Sequence, residues 1–254
     1  MQIFRRLFNF KPEQVVRLDH RLNRRYTPGP AFPLRATLNL GGRECRGVIQ
    51  NLSGNGVGLL LGREHPVTAS QSVRARFELD RHRLDIPARL AHLLPRENGL
   101  YCGLGLAFDD FPLQKAYLQL LQPVAIGQSL QPVPAERIVQ NEPQFIKQVY
   151  RGDSDSVLTV WLAMTMGTPL HSFEFQLEDC FCRAMTATGV LEAYTLEPDP
   201  EHKARLTHPV LDPTGGLQDE MRQLFRWIAP NLSPAVPDDV RALLLRFATA
   251  GQAY

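Results

Sequence analysis

Residues 34–57 read Leu34-Arg35-Ala36-Thr37-Leu38-Asn39-Leu40-Gly41-Gly42-Arg43-Glu44-Cys45-Arg46-Gly47-Val48-Ile49-Gln50-Asn51-Leu52-Ser53-Gly54-Asn55-Gly56-Val57. Side chains alternate in character from 34 to 40, Gly41-Gly42 supplies a tight reversal, and 45–50 return, the pattern of a β-hairpin. Asn51 to Gly56 then forms a second turn, in which Asn55 is expected to tolerate a left-handed backbone. The apolar run 57–61 leaves that turn as a third strand. Downstream, 73–79 set Val73, Ala75, Phe77 and Leu79 against Arg74, Arg76 and Glu78, following a loop through His65-Pro66. Asp80-Arg81-His82-Arg83 turns the chain into 84–94, and 99–108 closes the set. Six strands with short connections predict an all-antiparallel sheet whose length suits a small barrel. A helix follows at 112–121, with Asp109 and Asp110 near its start and Leu113, Tyr117, Leu120 and Leu121 on one stripe.

Ahead of the first strand stands Arg21-Leu22-Asn23-Arg24-Arg25. Arginines four apart supply planar, permanently charged forks that grip a phosphate through paired hydrogen bonds or lie flat on a purine. The Asn-x-Ser-x-x-Gly turn adds a side-chain amide, a hydroxyl and a glycine that lets a ligand reach the backbone. The candidate site is therefore Arg21, Arg25, Asn51, Ser53 and Gly56, the equipment for a small anionic nucleotide. Arg24 stands between the two arginines, and Arg17 with Arg21 has the same spacing as Arg21 with Arg25. The second register is preferred because Arg25-Tyr26 lies a short distance before the first strand. Charges in the segment 11–23 cannot be buried without a partner, so a ligand is expected to gather it.

This pair of motifs resembles the signature of the PilZ domain, a bacterial receptor module for the second messenger cyclic di-GMP. That signature is Arg-x-x-x-Arg followed by Asp/Asn-x-Ser-x-x-Gly, and order, spacing and surrounding strands all agree with it. The resemblance covers 21–121, about half of the chain. Gly103-Leu104-Gly105-Leu106-Ala107-Phe108 looks like the family's glycine-containing last strand. It implies a six-stranded antiparallel barrel with a terminal helix and cyclic di-GMP as ligand, with no cofactor. It assigns Arg21 and Arg25 to phosphate contacts, guanine stacking and the Hoogsteen edge, where O6 and N7 accept an arginine fork. Asn51 and Ser53 would contact guanine, and Gly56 would allow the turn. Asn51, where Asp is also common, keeps the hydrogen-bonding shape but gives up a charge that favours guanine N–H donors. The resemblance also implies output through protein contacts, in control of motility, pili, exopolysaccharide and biofilm, or virulence. The alternative is a barrel of the same fold that has lost nucleotide binding and serves as a protein-docking adaptor. Retention of both arginines, Asn51, Ser53 and Gly56 argues against it.

The rest of the chain carries no recognisable motif. Pro123, Pro132 and Pro134 mark 122–134 as a Pro-rich linker, separating a barrel domain with its basic arm at 1–121 from an α+β domain at 135–254. In the second domain, 142–150 are expected to be helical with Pro143 in the first turn, and 156–164 form an apolar strand. Gly167-Thr168-Pro169 leads into 170–177, where Phe173, Phe175 and Leu177 share a face, and two further strands follow at 180–186 and 190–196. Leu217, Met221, Leu224, Phe225 and Ile228 make one helical stripe. Val240, Leu243, Leu244 and Phe247 make another, opened by Pro237-Asp238-Asp239. This domain is expected to choose an unidentified protein partner.

The formal charge of +2 over 254 residues conceals an asymmetry. Up to Val124 there are 18 Lys+Arg against 10 Asp+Glu, and beyond it 10 against 16. The first half wants an anion. Its arginines are concentrated at a motif and lysines are few, which favours a compact anion site over nucleic acid. No apolar run approaches the ~20 residues that span a bilayer. Ile3, Phe4, Leu7 and Phe8 beside Arg5 and Arg6 suggest a short amphipathic helix docked on its own protein. The N-terminus lacks the apolar core of a secretory signal, so a cytoplasmic protein is expected. Cys45, Cys102, Cys180 and Cys182 lack zinc-ligand spacing and read as reduced, structural thiols, with no metal. An enzyme would have to use His171, Asp179, Cys180, Cys182, His202 or His208, none of which sits in a recognisable catalytic motif. The expectation is a receptor without catalysis.

Overall fold

The computed structural model describes residues 24–40, 42–62, 72–164, 170–198, 206–211 and 216–249, with the side chains of 197–198 and 206–211 excepted. Arg17 and Arg21, the amphipathic N-terminus, the His65-Pro66 loop, Gly41, the Gly167-Thr168-Pro169 turn and His202 lie outside those residues. The chain divides into two compact units between Val124 and Ala125.

The first unit is built from β1 (Leu34–Leu40), β2 (Arg43–Ser53), β3 (Gly56–Leu61), β4 (Ser72–Leu79), β5 (His82–Arg96) and β6 (Gly99–Leu106). They close into an antiparallel barrel in the order β1-β2-β3-β6-β5-β4. Period-two alternation drives this closure, because each strand sends every second side chain to one interior. Leu38, Leu52, Leu59, Phe77, Ile86 and Leu90 meet there with no exposed surface. The first hairpin turns as expected, with Gly42 at φ +87° and its N–H donating to Asn39 Oδ1 at 3.1 Å. Asn55 does not use the left-handed backbone it could tolerate, since the left-handed non-glycine residues described are Asp80, Ser154, Asp155 and Glu178. The turn is fastened instead by side chains, with the Ser53 hydroxyl 3.2 Å from Asn55 Oδ1.

Two irregularities reshape the outer wall. The register shifts between Ile49 and Asn51 on β2 and between Leu90 and His92 on β5. Because side chains alternate, one extra residue sends the next one to the opposite face. Asn51 and His92 are thereby turned from the interior to the outside of the barrel.

Helix α1 (Phe111–Ser129) follows β6, with Asp110 Oδ1 accepting from the Leu113 N–H at 2.8 Å as its N-cap. Tyr117 is wholly buried, its ring 5.7 Å from Phe77 and 5.6 Å from Phe108. The helix corrects the expectation of a linker at 122–134, because it continues through Pro123 to Ser129 and Gln131–Pro132 form a short strand. An internal proline costs a helix about 3 kcal/mol. Val124, Ala125, Ile126 and Leu130 are buried here, and burying such side chains gains about 1.5–3 kcal/mol for each large one. Composition read as a linker conceals an apolar helical face.

The second unit is a seven-stranded antiparallel meander in the order β13-β12-β11-β10-β9-β8-β7. Its strands are β7 (Gln131–Pro132), β8 (Phe145–Arg151), β9 (Val157–Ala163), β10 (Leu170–Leu177), β11 (Cys180–Met185), β12 (Leu191–Pro198) and β13 (Leu206–Leu211). Helices α2 (Gly216–Ile228) and α3 (Asp238–Thr249) complete it. Phe173 stacks on Phe225 at 5.0 Å and meets the edge of Phe247 at 5.1 Å, so both helices cover the Phe173 face of the sheet. The helix expected at 142–150 is β8, paired along its length with β9. Its Phe, Ile, Val and Tyr residues favour a pleated surface, and the apolar β9 needs a neighbour on that side. The strand β13 went unpredicted; Pro209 argues against a central strand but suits an edge, where its missing N–H costs no ladder bond. The two units thus join a closed β-barrel to an α+β arrangement. Among the described residues no helix is long and apolar enough to cross a membrane.

Candidate functional site

The outer wall of the first unit opens into a groove of ≈ 370 Å³ across β2, β3, β6 and β5. Arg25, Asn51, Ser53 and Gly56 all line it, together with Asn55, Gly58, Ala91, His92, Tyr101, Gly103 and Gly105. A larger hollow of ≈ 580 Å³ lies over β1 and β2, with Arg35, Arg46 and exposed Val48 among its walls, and none of the described motif residues line it. Size favours the second hollow, but convergent chemistry favours the first.

Strand register explains how the groove arises. One row across the sheet runs Asn51, Gly58, Gly103, His92, and the next runs Ser53, Gly56, Gly105, Arg89. Each row has a polar side chain on β2, two bare glycines in the middle and a basic or titratable side chain on β5. The four glycines form a square in which Gly56 and Gly105 leave peptide accessible, while Gly58 and Gly103 are buried beneath Asn51, Tyr101 and the His92 ring. A Cβ on Gly56 would come 3.0 Å from the Leu104 carbonyl oxygen, so a side chain there would press on backbone. Gly105 is open, its nearest contact being the Arg89 carbonyl oxygen at 4.0 Å.

The walls are held from several sides. Ser53 is buried, its hydroxyl within 3.2 Å of two acceptors, Asn55 Oδ1 and the Gly56 carbonyl oxygen. Its own carbonyl oxygen accepts from the Tyr117 hydroxyl at 2.8 Å, so α1 braces the motif turn from the barrel interior. Burial pushes the Tyr117 phenol far above its ordinary value, keeping it a donor. The Leu106 N–H donates to the Asn55 carbonyl oxygen at 2.8 Å, tying the turn to β6. Asn51 Nδ2 donates to the Tyr101 hydroxyl at 3.2 Å, and the Tyr101 ring stacks on His92 at 5.7 Å and 26°.

Arg25 reaches the groove because its neighbour is fixed. Tyr26 exchanges two backbone hydrogen bonds with Leu52, of 2.7 and 2.8 Å, one residue away from Asn51 and Ser53. Arg25 is exposed beside this bridge. Arg24 instead sits over the Tyr26 ring, 5.4 Å from its centroid, and does not line the groove. The structure therefore gathers four of the sequence-derived residues, Arg25, Asn51, Ser53 and Gly56, while Arg21 and Arg17 fall outside the described residues.

Sequence reasoning missed Tyr101, His92, Gly58 and Gly103. The glycines had a readable signal, since Gly56-x-Gly58 and Gly103-x-Gly105 each place glycine on one face of a strand. His92 had none, because only the bulge at Ala91 turns it outward.

Of the residues considered for an enzyme, His202 and the side chain of His208 lie outside the described residues, and the Cys180 thiol lies 3.5 Å from Asp179 Oδ1. Cys180 and Cys182 are buried under the helices, and burial pushes the Cys182 thiol up to about 12, helped by Cys180 and Glu174 nearby. His171 stacks on Phe145 at 4.1 Å. Among the described residues no three His, Cys, Asp or Glu side chains come together as a metal site. In the first unit burial raises the Cys102 thiol to about 11, with Cys45 adding to the shift.

Cation, amide, hydroxyl and a glycine-rich groove on the outside of a closed barrel define a wall whose chemistry suits a planar, anionic ligand. Residues 17–122 match the PilZ domain family. No curated protein matches the chain in sequence. Among solved structures it is similar to the PilZ domain with c-di-GMP of YcgR from Escherichia coli, at 13% identity over 39% of this chain and 86% of that one, TM-score 0.35. The PilZ domain of CeSA from a cellulose synthesizing bacterium matches at 19% identity over 39% and 96%, TM-score 0.31. The Borreliella burgdorferi PlzA protein in complex with c-di-GMP matches at 8% identity over 73% and 87%, TM-score 0.34.

Proposed function

We propose that this protein is a non-enzymatic cytoplasmic receptor for cyclic di-GMP that passes the signal on through protein contacts. The observation that carries the reading is the convergence of Arg25, Asn51, Ser53 and Gly56 on one glycine-rich groove within the PilZ match. Arg25, with Arg21 from the preceding turn of sequence, supplies charge for the phosphates and a planar fork for guanine. Asn51 and Ser53 supply guanine contacts, and Gly56 and Gly105 leave room for the ring. In this reading the barrel domain at 1–121 receives the nucleotide and the domain at 135–254 selects the partner, in motility, pili, exopolysaccharide or virulence control.

Calorimetric titration of cyclic di-GMP at two salt concentrations tests this, beside an Arg21→Ala/Arg25→Ala double variant. Saturable binding by the wild type, weakened at higher salt and lost in the variant, is the expected result. Binding that the variant retains, or no binding at low salt, contradicts it; the second outcome leaves a protein-docking adaptor as the better reading.

A further inference from the structure

We infer that Tyr101 is a ligand-positioning residue: its hydroxyl holds the Asn51 amide so that the amide oxygen meets the exocyclic amine of a guanine. The inference rests on the reading of the groove as a cyclic di-GMP site. It goes beyond that reading by adding a residue that neither half of the Arg-x-x-x-Arg and Asn-x-Ser-x-x-Gly signature contains.

The geometry begins with Gly58. Asn51 lies opposite Gly58 across the β2/β3 pair, and Tyr101 lies opposite Leu60 across the β3/β6 pair. Tyr101 therefore reaches diagonally over β3 to meet Asn51, and their hydrogen bond passes directly above the Gly58 Cα. A Cβ on Gly58 would come 2.8 Å from Asn51 Nδ2, 3.0 Å from Tyr101 Cε2 and closer still to the Tyr101 hydroxyl. The bond exists because this position carries no side chain. On the far side, a Cβ on Gly103 would strike the His92 ring, with Nδ1 at 2.7 Å. His92 can lie down against Tyr101 for the same reason, and its ring backs the tyrosine. Two glycines thus make room for one three-part wall of Asn51, Tyr101 and His92.

The chemical consequence comes from what an amide can do. An asparagine amide has two N–H donors on Nδ2 and an acceptor oxygen, and here one of those N–H groups is engaged by Tyr101. With Nδ2 held at Tyr101, the amide's place is fixed, and Oδ1 is the acceptor it offers the groove beside the remaining N–H. Guanine offers N–H donors beside that acceptor, at N1 and at its exocyclic amine. Asn51 lacks the negative charge that an Asp would bring, so orientation has to supply the selectivity that charge does not. A phenylalanine at 101 would keep the ring and free the amide to turn.

The test is calorimetry on the full chain with cyclic di-GMP and with its inosine counterpart, which lacks only the exocyclic amines. The wild type is expected to prefer the guanine ligand by about tenfold, the usual weight of one well-formed hydrogen bond. Tyr101→Phe is expected to bring that ratio close to one, Asn51→Ala to do the same, and the double variant to lose nothing more than either alone. A purely structural role for Tyr101 would weaken both ligands equally and leave the ratio unchanged. An unchanged ratio in Tyr101→Phe, or losses that simply add in the double variant, overturns the inference while the receptor reading stands. Failure of the wild type to bind either ligand removes the receptor reading itself, and this inference with it.

Discussion

The first unit's sheet closes on itself and has no unpaired edge, whereas the second unit's seven strands end at β13 and β7. The outer wall of the barrel carries four glycines that make room for Asn51, Tyr101 and His92, and the inner face of the second sheet is crowded with Phe173, Phe175 and Phe225. Its exposed edge is managed by other means. The Gln140 side-chain amide donates to the Lys147 carbonyl oxygen and accepts from its N–H, each at 2.9 Å, imitating a neighbouring strand where β7 gives out. A closed sheet tolerates a cluster of glycines on its outside because its ladder bonds are complete. An open sheet must commit side chains to its edges and helices to its face. The difference explains why ligand chemistry concentrates on one and packing on the other.

Removing the ring that joins the helices to the second sheet breaks this comparison most forcefully. Phe225→Ala, deleting contacts to both Phe173 and Phe175, is expected to cost about 3–5 kcal/mol. Thermal melting should then show the second unit unfolding at lower temperature while cyclic di-GMP titration of the barrel is preserved. Loss of binding in step with that transition would mean that the barrel does not stand on its own core.

A smaller effect is expected where the barrel braces its motif. Tyr117→Phe leaves the Ser53 carbonyl oxygen without its buried donor and should cost about 1–2 kcal/mol in urea unfolding. Ligand affinity should fall with it, since the Ser53 turn loses its inner support. An unchanged midpoint would show that the 2.8 Å bond adds nothing to the fold.

The smallest effect belongs to the barrel wall away from the groove. Asp85 is drawn in two directions: burial raises its carboxyl, while hydrogen bonds from Arg76 and Arg83 lower it more, leaving it below the ordinary range. A carboxylate held low in the fold stabilises it above the ordinary value near 3.9 and loses that contribution as pH falls through the folded value. The pair Arg76–Asp85 is partly exposed, so screening holds the effect to about 0.5 kcal/mol or less. Asp85→Asn should differ from wild type by that amount at pH 7 and converge with it near pH 2. A difference that persisted in acid would have to come from packing.

The barrel was legible because alternation and turn glycines act locally. The expected strand 34–40 coincides with β1, and 73–79 with all but one residue of β4. Helix against strand was misjudged where local signals were short. Pro143 resembles a helix start, yet β8 is decided by its pairing with β9, a contact between segments that no local window contains. Pro123 resembles a break, yet buried neighbours carry α1 past it. At the site, residues chosen for their chemistry were visible in the sequence, while those delivered by register were hidden. Arg25, Asn51, Ser53 and Gly56 announce themselves by type and spacing. His92 and Tyr101 enter the groove through a bulge and a diagonal reach over Gly58, which exist only once the strands are aligned.

The location of the ligand is the claim on which the rest depends, and glycine amides report it directly. Heteronuclear NMR of the full chain titrated with cyclic di-GMP should shift the amides of Gly56, Gly58, Gly103 and Gly105, the four corners of the square. Gly152 and Gly189 in the second unit should move far less. Shifts that instead centred on Gly29 and Gly47, at the larger hollow over β1 and β2, would place the ligand on the wrong wall and contradict the assignment of the site.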